Sequence, residues 1–199
     1  MAVGFSAVID HPATTHVSLR HLGKAHRPAV IAQRMQFLFQ QALQLRPTYA
    51  IALLNLGNVY RRQGAFEKAQ DCLNRALAME PDNPEVNYSL GMFYAQQNQM
   101  QNASSYLQKA IELRADYPEA LNNLGVLFVR EQDYAKAEDQ FRTCIRVVPS
   151  FDQSYLNLAR LYVLQNDREK AKEVLQDLLR IQPQNPSAKQ ALEALTTVP

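Results

Sequence analysis

Apolar residues recur in this chain on two nested periods. Within LLNLGNVY (53–60), NYSLGMFY (87–94), LNNLGVLF (121–128) and YLNLARLY (155–162), apolar and small residues fall three or four apart. That is the spacing of one face of a helix. Each octet begins 34 residues after the one before it. Each is followed by a second stretch of helical period: FEKAQDCLNRALAMEP, MQNASSYLQKAIELRA, YAKAEDQFRTCIRVVP and REKAKEVLQDLLRIQP. The pattern predicts helix pairs repeated along the chain, each with an apolar face that it cannot bury alone.

Repeat positions are counted from Ala50, Pro84, Pro118 and Asp152. Position 8 holds Gly57, Gly91, Gly125 and Ala159, and position 11 holds Tyr60, Tyr94, Phe128 and Tyr162. Position 20 is Ala69, Ala103, Ala137 and Ala171, and position 32 is Pro81, Ala115, Pro149 and Pro183. Glycine in mid-helix costs roughly 1 kcal/mol against alanine. Its recurrence predicts a close helix approach there, with the position-20 alanine on the facing helix. Proline ends the second helix, because it cannot donate to the helical hydrogen-bond ladder.

These columns resemble the tetratricopeptide repeat family. The resemblance implies an all-α fold, a right-handed solenoid of antiparallel helix hairpins. Full units are expected over 50–83, 84–117, 118–151 and 152–185. Stepping back 34 residues from Ala50 gives His16, with Leu22-Gly23 at positions 7 and 8, Ala42 at position 27 and Pro47 at position 32. Residues 16–49 are therefore expected to form a degenerate first unit, behind a tail over 1–15. At the other end, PSAKQALEALTTVP (186–199) starts a further unit and stops. Its stripe of Ala188, Ala191, Leu192 and Leu195, with Lys189 and Glu193 facing away, reads as the polar-backed cap that closes such stacks.

Candidate chemistry changes this picture little. All four histidines (His11, His16, His21 and His26) lie five apart near the start. A five-residue step turns a helix by about 140°, so the rings cannot share a face and no metal site is expected. The chain has no HExxH, GxSxG or phosphate-binding loop, and no catalysis or cofactor is expected. Cys144 occupies a packing position, and nothing near Cys72 would activate it. No apolar run reaches the roughly 20 residues that span a bilayer, and the first residues lack a basic, secretory-type start. A cytoplasmic protein without membrane contact is expected.

Charge sharpens the expectation of a partner. The net charge of +2 is too small to argue for nucleic acid. Its distribution is uneven: residues 1–49 hold five Lys/Arg against one acid. In the family, function resides on the concave surface lined by the first helices, where positions 2, 5, 6, 9, 12 and 13 share an arc. Position 5 gives Arg20, Leu54, Tyr88, Asn122 and Leu156, and position 9 gives Lys24, Asn58, Met92, Val126 and Arg160. Positions 12 and 13 add Arg27, Arg61, Arg62 and Arg130. The expected groove is basic at its N-terminal end and apolar in its middle.

Position 6 holds Asn55, Asn123 and Asn157, interrupted by His21 and Ser89. Asparagine is a mediocre helix former, and its amide both donates and accepts, as a peptide unit does. The row resembles the asparagine ladder in the superhelix of O-linked N-acetylglucosamine transferases, which implies a grip on peptide backbone. Arg20, Lys24 and Asn55 also resemble the first half of the carboxylate clamp of chaperone-binding members, whose second half Glu85 and Ser89 break. The expected function is a non-catalytic scaffold holding an extended peptide or partner protein, with acidic segments favoured. A substrate-recruiting arm of a larger enzyme such as a glycosyltransferase, a co-chaperone, and self-association stay open at this point.

Overall fold

The computed structural model describes residues 27–197, with side chains from Val30 to Thr196. Ten helices follow one another: α1 (Arg27–Leu45), α2 (Ala50–Arg62), α3 (Phe66–Met79), α4 (Pro84–Gln96), α5 (Met100–Leu113), α6 (Pro118–Arg130), α7 (Tyr134–Val147), α8 (Asp152–Leu164), α9 (Arg168–Ile181) and α10 (Pro186–Thr197). Helices α2 to α9 pair into four sequential hairpins that stack on one another, with α1 before them and α10 after.

The hairpin turns are built identically. Two residues beyond the end of each of α2, α4, α6 and α8 comes a residue of positive φ: Gly64 (75°), Asn98 (57°), Gln132 (63°) and Asn166 (63°). The amide one residue further on then reaches back to the position-11 aromatic: Ala65 to Tyr60 (2.9 Å), Gln99 to Tyr94 (2.9 Å), Asp133 to Phe128 (2.9 Å) and Asp167 to Tyr162 (2.8 Å). This closure satisfies carbonyls that a helix end would otherwise leave open.

The first unit departs from the expected hairpin for the same reason. Val30 stands where the other units have the positive-φ residue. A β-branched side chain is a genuine outlier in that conformation. The helix runs through instead, and α1 is continuous from Arg27 to Leu45. Arg27 and Pro28 therefore lie on the same helix as the residues that follow them, not at the end of a separate first helix as repeat counting placed them. Arg20, Lys24 and the four histidines lie outside the described residues.

Packing within hairpins follows the glycine column. A β-carbon on Gly57 would meet Leu73 Cγ at 2.8 Å, and one on Gly91 would meet Leu107 Cγ at 2.8 Å. The position-20 alanines are fully buried. At the far end Ala188 of α10 is buried and Ala191, Leu192 and Leu195 pack on the core, while Lys189 and Glu193 stay exposed.

Hairpins are also tied to each other. The Tyr162 hydroxyl donates to Glu138 Oε1 at 2.6 Å, and Arg142 donates to both, to Glu138 at 2.8 Å and to the Tyr162 oxygen at 2.7 Å. Burial alone would raise the Glu138 carboxyl, but the hydrogen bonds from Tyr162 and Arg142 outweigh it and hold the group below its ordinary carboxylate value. A carboxyl lowered by folding stabilises above its unfolded pKa, and that contribution is lost as pH falls through the folded value. Thermal melts between pH 6 and about 3 are therefore expected to fall less steeply for Glu138→Gln than for the wild type. Parallel curves would remove this network from the acid response.

Candidate functional site

The first helices approach one another on one side of the stack. Helix α2 touches α4 and α6 touches α8, whereas the second helices make no comparable contact among themselves. The surface lined by α2, α4, α6 and α8 is thereby the concave one. Most described residues of positions 6, 9, 12 and 13 meet solvent there, the buried Ser89 excepted. Asn55, Asn58, Arg61, Met92, Asn123, Val126, Val129 and Asn157 are half-buried, while Arg62, Arg130 and Arg160 are exposed.

Position 5 is placed differently from the sequence expectation. Leu54, Asn122 and Leu156 are buried, at 9%, 8% and 6% exposure, and among the described residues of this column only Tyr88 is half-open. The approach of adjacent first helices covers the column. Leu54 and Asn122 thus underlie the groove instead of facing a ligand. Asn122 is fixed there, its carbonyl oxygen accepting from Asn157 Nδ2 at 2.9 Å and from Ser154 Oγ at 3.3 Å.

The asparagine row is not a row of free amides. Asn123 Nδ2 donates to the Tyr88 hydroxyl oxygen at 3.0 Å, across one repeat. Asn58 Nδ2 donates to Ser89 Oγ at 2.9 Å, also across one repeat. The Asn157 amide spends one hydrogen on Asn122, and its oxygen accepts from Arg160 Nη1 at 3.3 Å. Each of these amides uses one of its two N–H groups to tie neighbouring first helices and keeps the other. Sequence alone could not show this, because the bonds join residues 31–35 apart. The 34-residue period was the available signal, since it sets equivalent positions side by side.

Arg61 is the groove's most telling cation. Burial and the neighbouring Arg62 both work against its charge and lower its pKa, opposed by Tyr88. Its Nη1 donates to Gln96 Oε1 at 3.3 Å, while its Nε is buried without a hydrogen-bond partner. A guanidinium stays protonated in proteins, so this site holds an incompletely solvated positive charge. A carboxylate approaching it would recover what burial removed.

Sequence reasoning missed a set of residues beside Tyr88. Arg114, Asp116, Tyr117 and Glu119 come together with it around an open cavity of about 550 Å³. They occupy the link between α5 and α6 and the first turn of α6; Glu119 stands at repeat position 2 of the groove arc, and the other three lie outside the columns read as groove. The two cysteines lie elsewhere. Both are buried free thiols, and burial raises the pKa of each, which keeps them from the thiolate form. Among the described residues no helix is long and apolar enough to cross a membrane.

Comparison with known proteins bears on this geometry. Two tetratricopeptide repeat profiles match the chain, one over residues 38–69, 54–118 and 101–150, the other over 128–195. The chain belongs to the tetratricopeptide repeat family. No curated protein sequence matches it. Among solved structures it is similar to YrrB, described as a TPR protein with an unusual peptide-binding site. The identity is 28%, 85% of this chain and 87% of that one are covered, and the TM-score is 0.62. It also shares its fold with MamA (21% identity, 89% and 98% covered, TM-score 0.65) and with PilW, a widely conserved type IV pilus biogenesis factor (20%, 86% and 86%, TM-score 0.71). The TPR assignment gives the chain a scaffold of a kind that binds proteins, and the described residues contain no catalytic domain.

Proposed function

We propose that this TPR chain holds an extended segment of a partner protein along the concave face of α2, α4, α6 and α8, and performs no chemistry on it. The observation that carries the reading is the half-buried Arg61, with an unpartnered Nε, on the surface that the amides of Asn55, Asn123 and Asn157 share. The peptide-binding site named for YrrB supports it.

The division of labour follows from the groove. The remaining amide hydrogens of Asn123 and Asn157, together with Asn55, bond the backbone of any sequence. Three such bonds, at roughly 0.5–1.5 kcal/mol each, fall short of the about 8 kcal/mol of micromolar binding. Side-chain contacts must supply the rest. Met92, Val126 and Val129 give an apolar centre, and Arg61 and Arg62 favour an acid at the N-terminal end.

An array of nonapeptides with one fixed position each is the direct test. Acidic residues should be enriched at one end of the selected sequences, and binding should weaken from 0.05 to 0.5 M salt, because exposed charges are screened over roughly 10 Å at 0.1 M. An array with no sequence preference and no salt dependence would remove this reading.

A further inference from the structure

The junction between the third hairpin (α4, α5) and the fourth (α6, α7) carries a combination that its neighbours lack. The Tyr88 and Tyr117 rings meet with centroids 5.0 Å apart at 41°. The Arg114 guanidinium carbon lies 3.7 Å from the centre of the Tyr117 ring, and its Nη1 pairs with Glu85 at 2.9 Å. That pairing offsets the charge of the one cation lining the cavity, whose Nε is buried without a hydrogen-bond partner. Asp116 and Glu119, both exposed, complete the lining and have no ion-pair partner among the described residues. The cavity is thus walled by two aromatic rings and carries two uncompensated carboxylates.

The repeat supplies its own controls. One junction earlier, the same two acidic positions are Asp82 and Glu85, but they pair with Lys109 at 3.5 Å and Arg114 at 2.9 Å. The positions of the two rings there hold Leu54 and Asn83. One junction later, the acidic positions hold Ser150 and Gln153, without charge. Glu119 in the first turn of α6 suits the helix dipole, which accounts for one acid. Asp116 lies before that helix and has no such role; the rings belong to the core, with Tyr117 buried and the half-open Tyr88 packed against it.

We infer that this cavity is a second subsite of the groove and takes a cationic side chain, lysine or arginine, of the bound segment. The inference rests on the groove reading above and narrows its ligand. Aromatic faces attract cations through their quadrupole, and Arg114 on Tyr117 already shows one such contact. Asp116 and Glu119 would close around the charged end, as oppositely charged hydrogen-bonding partners. Arg61 and Arg62 act on the Tyr88 phenol from the groove side, and Glu119 acts on it with opposite sign. Two subsites of opposite charge therefore flank one tyrosine. A bound segment with an acid followed by a base would be fixed in one direction.

The test uses the whole 199-residue chain and backbone amide spectra. The probe is N-acetyl-lysine methylamide, and its neutral isostere N-acetyl-norleucine methylamide is the control. The lysine compound should give saturable shifts at residues 114–119 and Tyr88, and the norleucine compound none there. Asp116→Asn with Glu119→Gln should weaken the lysine compound about tenfold or more, since charge-assisted bonds are roughly twice as strong as neutral ones. Both substitutions are isosteric and exposed, so the remaining spectrum should superimpose. Equal shifts from both compounds, no shifts at 114–119, or an affinity unchanged in the double variant would overturn the inference. An array enriched in acids but not in bases would overturn this subsite and leave the groove reading standing. An array without preference, with no shifts on α2, α4, α6 or α8, would overturn both.

Discussion

Gly125→Leu is expected to lower the melting temperature of the chain by about 6–12 °C, the equivalent of about 3 kcal/mol of overpacking. A β-carbon at Gly125 would lie 2.6 Å from Phe141 Cε1, 2.8 Å from Cδ1 and 3.0 Å from Cζ. Phe141 is fully buried, so its ring has nowhere to turn. Helices α6 and α7 would have to separate. Each hairpin is stabilised by its neighbours, so the damage should spread to the α8–α9 hairpin and broaden the transition. Gly64→Ala is the contrasting case. Nothing lies within 4 Å of the added carbon, and the cost comes only from the positive φ of 75°, about 1 kcal/mol and about 3 °C. Calorimetry on the two variants separates the mechanisms. A Gly125→Leu protein melting like the wild type would remove the packing assignment of the glycine column.

The second large effect concerns ligand choice. Replacing Arg61 and Arg62 together by alanine should weaken acidic nonapeptides by about 10–100-fold and leave neutral ones within about twofold. Charge-assisted bonds from a partly desolvated guanidinium are worth roughly 1.5–3 kcal/mol, and the exposed Arg62 contributes toward the low end. Most of the loss should come from Arg61, whose burial and unpartnered Nε already disfavour its charge in the empty groove. Titration calorimetry with one acidic and one neutral peptide measures it. An equal loss for both peptides would mean that the arginines hold the groove's shape and do not read charge.

Most of the fold was legible because each hairpin repeats the same physical requirements. The leucine-glycine pair and the position-20 alanine stand in fixed columns, and the structure uses each as the column implies; the positive-φ turn residues form a further column that only the structure brought out. The first unit was misread at one residue. Column matching gave weight to Leu22-Gly23, Ala42 and Pro47, while Val30 at the turn position decided that the helix would not break. A column required for backbone conformation outranks several required for packing.

The site was legible only in outline. Helical periodicity places a residue on a face, but the distance between adjacent first helices decides whether that face is open. Leu54 and Asn122 fell on the groove arc and lie beneath it. The asparagines were read as donors and acceptors for a ligand, and Asn123 and Asn157 each spend one amide hydrogen tying one hairpin to the next. Tyr117 and Asp116 lie in a link outside the first-helix columns, and Glu119, at position 2 of the arc, carried no signal that set it apart within its column. Comparing each inter-hairpin link with its neighbours would have isolated them, since no other link combines an aromatic residue with two unpaired acids.

The measurement that bears most directly on the account is the map of amide shifts on binding an array-selected nonapeptide. The account predicts perturbation along α2, α4, α6 and α8, centred on Asn55, Asn58, Arg61, Tyr88, Met92, Asn123, Val126 and Asn157, with α3, α5, α7 and α9 unmoved. Shifts gathered on those second helices, with the first helices silent, would contradict it.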